Sequence, residues 1–248
     1  AIARRGKDPR PVGRMLDERS FVNAIVGLHA TGGSTNHTLH LPAMAAAAGI
    51  TLTWQDFADL SEVTPLLARV YPNGQADVNH FHAAGGMGYV IAELLGAGLL
   101  DGSAATVSGD SLADYAREPL LSDNGLVWRD APSTSLDTDI LRPAGDPHAP
   151  NGGLRMLDGN LGKAVIKISA VAEARRLIEA PAAVFEDEAA VKAAYAAGEL
   201  DRNVVVVVRG QGPQATGMPE LHSLTPMLSN LQDKGHCLLY TSDAADDC

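Results

Sequence analysis

Three short stretches of this 248-residue chain carry side chains able to do chemistry. The first is Gly32, Gly33, Ser34, Thr35 and Asn36, set in "HATGGSTNHTLHLPAMAAAAGI". Ser34, Thr35 and Asn36 are helix N-cap types, and the glycines permit close backbone approach. A helix start has unpaired N–H groups and a partial positive charge. The turn therefore reads either as an anion site or as the plain cap of an Ala-rich helix. The second stretch, "DVNHFHAAGGMG", places Asp77, Asn79, His80 and His82 before a glycine pair. Histidines at i and i+2 lie on one side of an extended segment and could take a metal or an anion; the alternative is a polar loop bonded to its own backbone. The third, "VVVVVRGQGPQATGMPE", is a buried-type strand running into a Gly- and Pro-rich loop that ends on Glu220. A carboxylate on a loop at a strand end suits Mg²⁺, which keeps its other positions for water and substrate. Pro219 and Glu220 equally suit the first turn of a helix through "ELHSLTPMLSNL".

The elements that must position these groups fall into two halves. Residues 17–30 and 34–48 read as helices separated by the glycine turn, and "TWQDFADLSEVTPLLARV" as a third helical region broken near Pro65. A fourth helix is expected over 83–100, and few strand signals occur before Ser122. "WRDAPSTSLDTDILRPAGDPHAPNGGL" is rich in Pro, Asp, Ser and Gly and marks a long loop or domain boundary. Beyond it "LRMLDG", "KAVIKISAV", "AAVFED" and "NVVVVVRG" read as strands, interrupted by the helix "EAAVKAAYAAG".

Apolar residues make up 46% and charged residues 20%, the balance of a globular chain. A net charge of −11 argues against non-specific nucleic-acid binding. No apolar run approaches the roughly 20 residues of a membrane span, and the N-terminus lacks a signal-peptide core, so a cytoplasmic location is expected. Position 1 is Ala rather than Met, which gives the expectation of a piece cut from a longer protein. The only cysteines are Cys237 and Cys248, without CxxC or Cys/His spacing.

Several motifs in a fixed order resemble the dihydroxy-acid dehydratase/6-phosphogluconate dehydratase family: "TGGSTN", the "AAGG" turn, "LDGNLGKAVIKISAV", "IEAPAAVF" and "GMPEL". "LLARVYPNGQADVNHFHAAGG" and "GQGPQATGMPELHSLTP" resemble its 6-phosphogluconate branch, and the match runs from about residue 12 to 235. The resemblance implies dehydration of a phosphorylated sugar acid to a 2-keto-3-deoxy acid, with an iron–sulfur cluster and Mg²⁺ or Mn²⁺ as cofactors. It also implies a homodimer of the full-length protein. Glu220 resembles the family's divalent-metal ligand, and Gly32, Gly33, Ser34, Thr35 and Asn36 its active-site turn, here assigned with His80 and His82 to substrate binding. The implied fold class is α/β: the mainly helical part of an α/β N-terminal domain, then the start of a truncated β-barrel-like C-terminal domain. The expected divisions are 1–138, 139–236 and an adapter-like, non-native tail at 237–248. Cluster cysteines are expected upstream of Ala1 and the serine base downstream of Lys234. The rival readings are a dihydroxy-acid or unphosphorylated sugar-acid dehydratase, and a binding module without chemistry.

Overall fold

The computed structural model describes residues 10–171, 173, 176–212, 217, 221–236 and 238–239. These form a mixed α/β chain that divides into two compact units, Ala1–Arg155 and Met156–Cys248.

The first unit is built on five helices: α1 (Glu18–Thr31), α2 (His37–Ala47), α3 (Trp54–Val63), α4 (Val78–Ala84) and α5 (Gly86–Gly96). Asp17 caps α1 by accepting from the Ser20 N–H at 3.0 Å, offsetting one of the unpaired donors of a helix start. Phe21, Ile25, Leu28 and His29 recur at helical spacing and form the buried face of α1. Pro42 lies inside α2 and has no N–H to offer Thr38 four residues back. The Trp54 indole N–H takes that carbonyl at 3.1 Å, tying α3 to α2. α3 stops at Val63, and Thr64 is extended before Pro65, whose ring disfavours a helical predecessor.

Val26, Ala30, Leu67, Ala68, Ala84, Tyr89, Val90, Leu94, Ile140 and Leu141 form the core of this unit. Ile140 and Leu141 belong to the Pro- and Asp-rich stretch, so that stretch is no free linker. Leu66, Ala68 and their neighbours pair with Leu141 and Ala149 through isolated antiparallel bridges. The unit also holds a hairpin that the pattern of residues 83–130 did not announce. Its strands β1 (Arg117–Ser122) and β2 (Gly125–Asp130) are antiparallel, with Ser122 opposite Gly125. The signal was present in Asp123-Asn124-Gly125, a turn composition in which Gly125 supplies φ 98°.

In the second unit β3 (Leu154–Gly159), which begins at the unit boundary, and β4 (Gly162–Lys167) form a two-stranded sheet. β5 (Ala182–Phe185), β6 (Val204–Val208) and β7 (Leu238–Leu239) form a second sheet, parallel throughout. Parallel neighbours need a crossover, supplied by α6 (Glu188–Ala196) between β5 and β6 and by α7 (Thr225–Asp233) between β6 and β7. Val191, Ala194, Leu200, Val204, Val206, Leu224, Leu228 and Leu231 are the buried core of this layer. The strands expected from the β-branched runs are thus present, but among the described residues no barrel closes: the sheets have two, two and three strands. α6 and α7 return the chain parallel across β5, β6 and β7, which makes that sheet an α/β layer. Residues 237 and 240–248 lie outside the described set, whereas Leu238 and Leu239 pair with Val204 and Val205.

Candidate functional site

The glycine turn is built from the end of α1 rather than the start of α2. Gly32 adopts the left-handed conformation, φ 58° and ψ 45°. Its N–H donates to the His29 carbonyl at 3.2 Å, and the Gly33 N–H donates to the Leu28 carbonyl at 2.9 Å. That pair of bonds is a Schellman closure, which favours glycine at the left-handed position. A Cβ on Gly32 would lie 2.0 Å from Asn73 Nδ2, and one on Gly33 would lie 2.5 Å from Leu28 Cδ1. Both glycines therefore serve close approach as well as turning.

Helix α2 begins at His37, three residues later than the Ser34 start expected from the sequence. Asn36 stands at the N-cap with helical angles and no capping side-chain bond. The Ser34 hydroxyl instead accepts from the Asn36 N–H at 3.2 Å, and Thr38 Oγ1 donates to the Thr35 carbonyl at 2.8 Å. Ser34 and Thr35 thus sit on a bend between two helices, with Ser34 exposed. Their N–H groups have no acceptor among the described residues.

The 66–74 segment wraps this bend. The N–H groups of Leu67 and Ala68 donate to the Ala30 carbonyl at 2.7 and 3.1 Å. Asn73 Nδ2 donates to the Gly32 carbonyl at 3.0 Å. The "YPNG" loop is therefore hydrogen-bonded to the glycine turn across 41 residues of sequence.

His80 and His82 are in α4, not in an extended segment, which corrects the expected geometry. Two positions along a helix are separated by about 200°, so the rings point away from each other and cannot share a ligand. His80 is committed to its own helix start: its Nδ1 is 2.8 Å from Asp77 Oδ1, which also accepts from its N–H at 3.0 Å. These bonds from the His80 backbone and ring hold the Asp77 carboxyl below the usual carboxylate range. His82 lies against the α4–α5 junction, where a Cβ on Gly86 would come 3.2 Å from its Nδ1.

Glu220, with Pro219, lies outside the described residues, so its assignment has no geometry to report. Among the described residues no group of three His, Cys, Asp or Glu side chains is placed to hold a metal ion. No helix among the described residues is long and apolar enough to cross a membrane.

Family models for the dihydroxy-acid/6-phosphogluconate dehydratases match both halves, the N-terminal model over residues 2–115 and the C-terminal model over 139–244. The chain belongs to the dihydroxy-acid/6-phosphogluconate dehydratase family. It is 56% identical over 233 residues to phosphogluconate dehydratase of Pseudomonas aeruginosa, covering 94% of this chain and 38% of the relative. Identity to the enzyme of that name from Rhizobium meliloti is 57% over 244 residues, covering 98% and 40%. Dihydroxy-acid dehydratase of Nitratidesulfovibrio vulgaris is 38% identical over 220 residues, covering 88% and 38%. The chain thus spans about two fifths of the length of these curated relatives.

Two residues of this chain escaped the sequence reading. Asn73 gave a turn signal in "YPNG" but none that pointed to Gly32. His29 lies in the last turn of α1, three residues before Gly32, and is fully buried. Its Nε2–H donates to the Phe57 carbonyl at 2.9 Å, while Nδ1 is buried without a partner. Gly152 packs so closely that a Cβ there would lie 2.8 Å from His29 Cβ. Burial pushes the His29 pKa down to about 4, opposed by the Phe57 bond and reinforced by the Arg155 charge.

This histidine makes the unit acid-sensitive. The unfolded state takes up a proton near the ordinary value of 6.5, whereas the folded state resists until about 4. Stability is therefore retained above about 6.5 and falls as the pH drops between those limits, by up to about 3 kcal/mol. Urea titrations of the chain at stepped pH should show this loss, and His29→Gln, which keeps a donor for Phe57, should flatten it. An unchanged slope in the variant would assign the acid sensitivity elsewhere.

Proposed function

We propose that the longer protein to which this chain corresponds dehydrates 6-phospho-D-gluconate to 2-dehydro-3-deoxy-6-phosphogluconate, the hydro-lyase step of the Entner–Doudoroff route. The observation that carries the reading is the identity gap. Relatives named phosphogluconate dehydratase from Pseudomonas, Rhizobium and Escherichia coli are 54–57% identical, against 38% for the dihydroxy-acid enzyme. The reading is supported by the "YPNG" loop of the branch motif, because its Asn73 holds the carbonyl of Gly32 in the turn assigned to substrate.

The reaction removes the C2 proton and the C3 hydroxyl as water, and the resulting enol becomes the 2-keto group. Hydroxide is a poor leaving group and the C2–H bond is weakly acidic, so charge must be stabilised at both ends. In this proposal the exposed bend at Ser34 and Thr35 binds an anionic end of the sugar acid. The Ser34 and Thr35 N–H groups, without an acceptor among the described residues, suit that role. Glu220 is assigned to the divalent cation, Mg²⁺ or Mn²⁺. The iron–sulfur cluster and the base are supplied by residues outside this chain. We further read the protein as a cytoplasmic homodimer, with residues from 139 onward opening a barrel-like second domain. The start of the second family model at 139 supports that division.

The 248-residue chain alone is expected to show no turnover. After anaerobic reconstitution with iron, sulfide and Mg²⁺, formation of 2-keto acid from 6-phosphogluconate should match a no-protein control. Turnover above that control would show that this chain holds the whole catalytic apparatus. In the longer protein, product analysis decides the substrate. A preference for an unphosphorylated dihydroxy acid over 6-phosphogluconate would overturn the phosphogluconate reading in favour of its rival.

A further inference from the structure

The short segment 66–69 runs between two other pieces of chain in the first unit. The Arg69 N–H donates to the Ile140 carbonyl at 2.8 Å, and the Arg142 N–H donates to the Leu67 carbonyl at 2.9 Å. On the other side the His148 N–H donates to the Leu66 carbonyl at 2.9 Å. Three side chains able to carry positive charge thus arise from three hydrogen-bonded neighbours. Arg69 is exposed and its guanidinium has no partner among the described residues. Arg142 Nε donates to the Thr138 carbonyl at 3.2 Å, and the carboxylate of Asp146 is 3.9 Å from its Nη1. His148 Nε2 is buried with no hydrogen-bond partner.

Asp146, 3.9 Å from Arg142, is exposed and loosely paired, and the Arg69 guanidinium is left facing solvent. The electrostatics of His148 show the cluster acting on it. Burial, then the charge of Arg69, lowers its pKa, and Arg142 adds to this; a bond to the Ile140 carbonyl and the charge of Asp139 oppose the shift. We propose that Arg69, Arg142 and His148 form a phosphate-monoester subsite that receives the terminal phosphate of the sugar acid. This rests on the function proposed above and extends it from reaction to substrate recognition. A guanidinium presents two parallel N–H donors in a fixed plane to two phosphate oxygens. A dianion arriving beside His148 favours its protonated form, so Nε2 changes from an idle acceptor to a donor.

The placement also divides the labour along the substrate. Leu66 gives its carbonyl to His148, and its Cδ1 would lie 3.1 Å from a Cβ on Gly32. The cation cluster and the glycine turn therefore flank one stretch of backbone. The turn is left for the carboxylate end, with the phosphate held at Arg69.

Inorganic phosphate titrated into this chain should shift the His148 ring resonances in proton NMR, assigned with His148→Gln, and raise the pKa they report. Arg69→Met should abolish the response. The absence of a shift at millimolar phosphate, or an equal shift in Arg69→Met, overturns the subsite. In the longer enzyme, Arg69→Met should lower the kcat/KM ratio for 6-phosphogluconate over gluconate roughly 10–100-fold, with Arg69→Lys retaining part of it. An unchanged ratio also overturns the subsite. Failure of the longer protein to dehydrate 6-phosphogluconate would remove the functional reading, while the phosphate titration would still decide the subsite.

Discussion

Gly32→Val is expected to destabilise the first unit by about 4 kcal/mol, a large fraction of a domain's net stability. Three costs add. The position has φ 58°, a conformation that a β-branched residue adopts only under strain. The new Cβ would occupy the place of Asn73 Nδ2, now 2.0 Å away, so Asn73 must release the Gly32 carbonyl. That bond is worth about 1 kcal/mol. The remaining bulk presses on Leu66, whose Cδ1 lies 3.1 Å from the Cβ position. A double-mutant cycle with Asn73→Ala separates these terms. Gly32→Val should cost measurably less in the Asn73→Ala background, because one clash and one bond have already gone. Equal costs in both backgrounds would show that Asn73 does not contact the turn in solution.

The largest effect on activity is expected at Glu220. In the longer enzyme, Glu220→Gln should lower turnover by more than about 100-fold while the melting temperature stays near wild type. Gln keeps the shape and one oxygen but loses the charge that holds a hard cation. The residual activity should need far more Mg²⁺ or Mn²⁺, so the metal titration shifts along with the rate. The competing structural role, a carboxylate complementing the start of a helix, predicts the opposite pattern: roughly 0.3–1 kcal/mol of stability lost and catalysis intact. Wild-type turnover of the variant at limiting metal would defeat the ligand assignment.

The candidate site was legible in unequal parts. The 32–36 turn could be singled out because its residue types are rare in combination and sit at a helix boundary. Its local geometry could not, because Gly32 closes α1 through bonds to Leu28 and His29 while α2 waits until His37. A Ser-Thr-Asn run offers three equivalent N-cap candidates, and hydrogen bonds to Ser34, Thr35 and Asn36 distribute the turn over all three. The histidines failed for a related reason. Between Asp77 and Gly85 the choice of helix over extended chain rests on a capping interaction of Asp77 with His80, and that choice reverses where the rings point.

What the amino-acid sequence determined by itself is whatever depends on neighbours within a turn or two. That covers the ends of α1 and α3, the strands of the second unit, α6 with its Asp187 cap, and membership of the dehydratase family. Only the tertiary structure decided which segments meet. Ile140 and Leu141 join the helical core although they lie in a Pro- and Asp-rich stretch, because residues 66–70 offer them unpaired backbone to bond. Asn73 reaches Gly32, Gly152 closes over His29, and the backbones at Arg142 and His148 bond to the 66–69 segment, all across separations that leave no periodic trace. The physical reason is that local propensity acts through bonds a few residues long, whereas these contacts form only once burial of the helical faces has brought distant chain together.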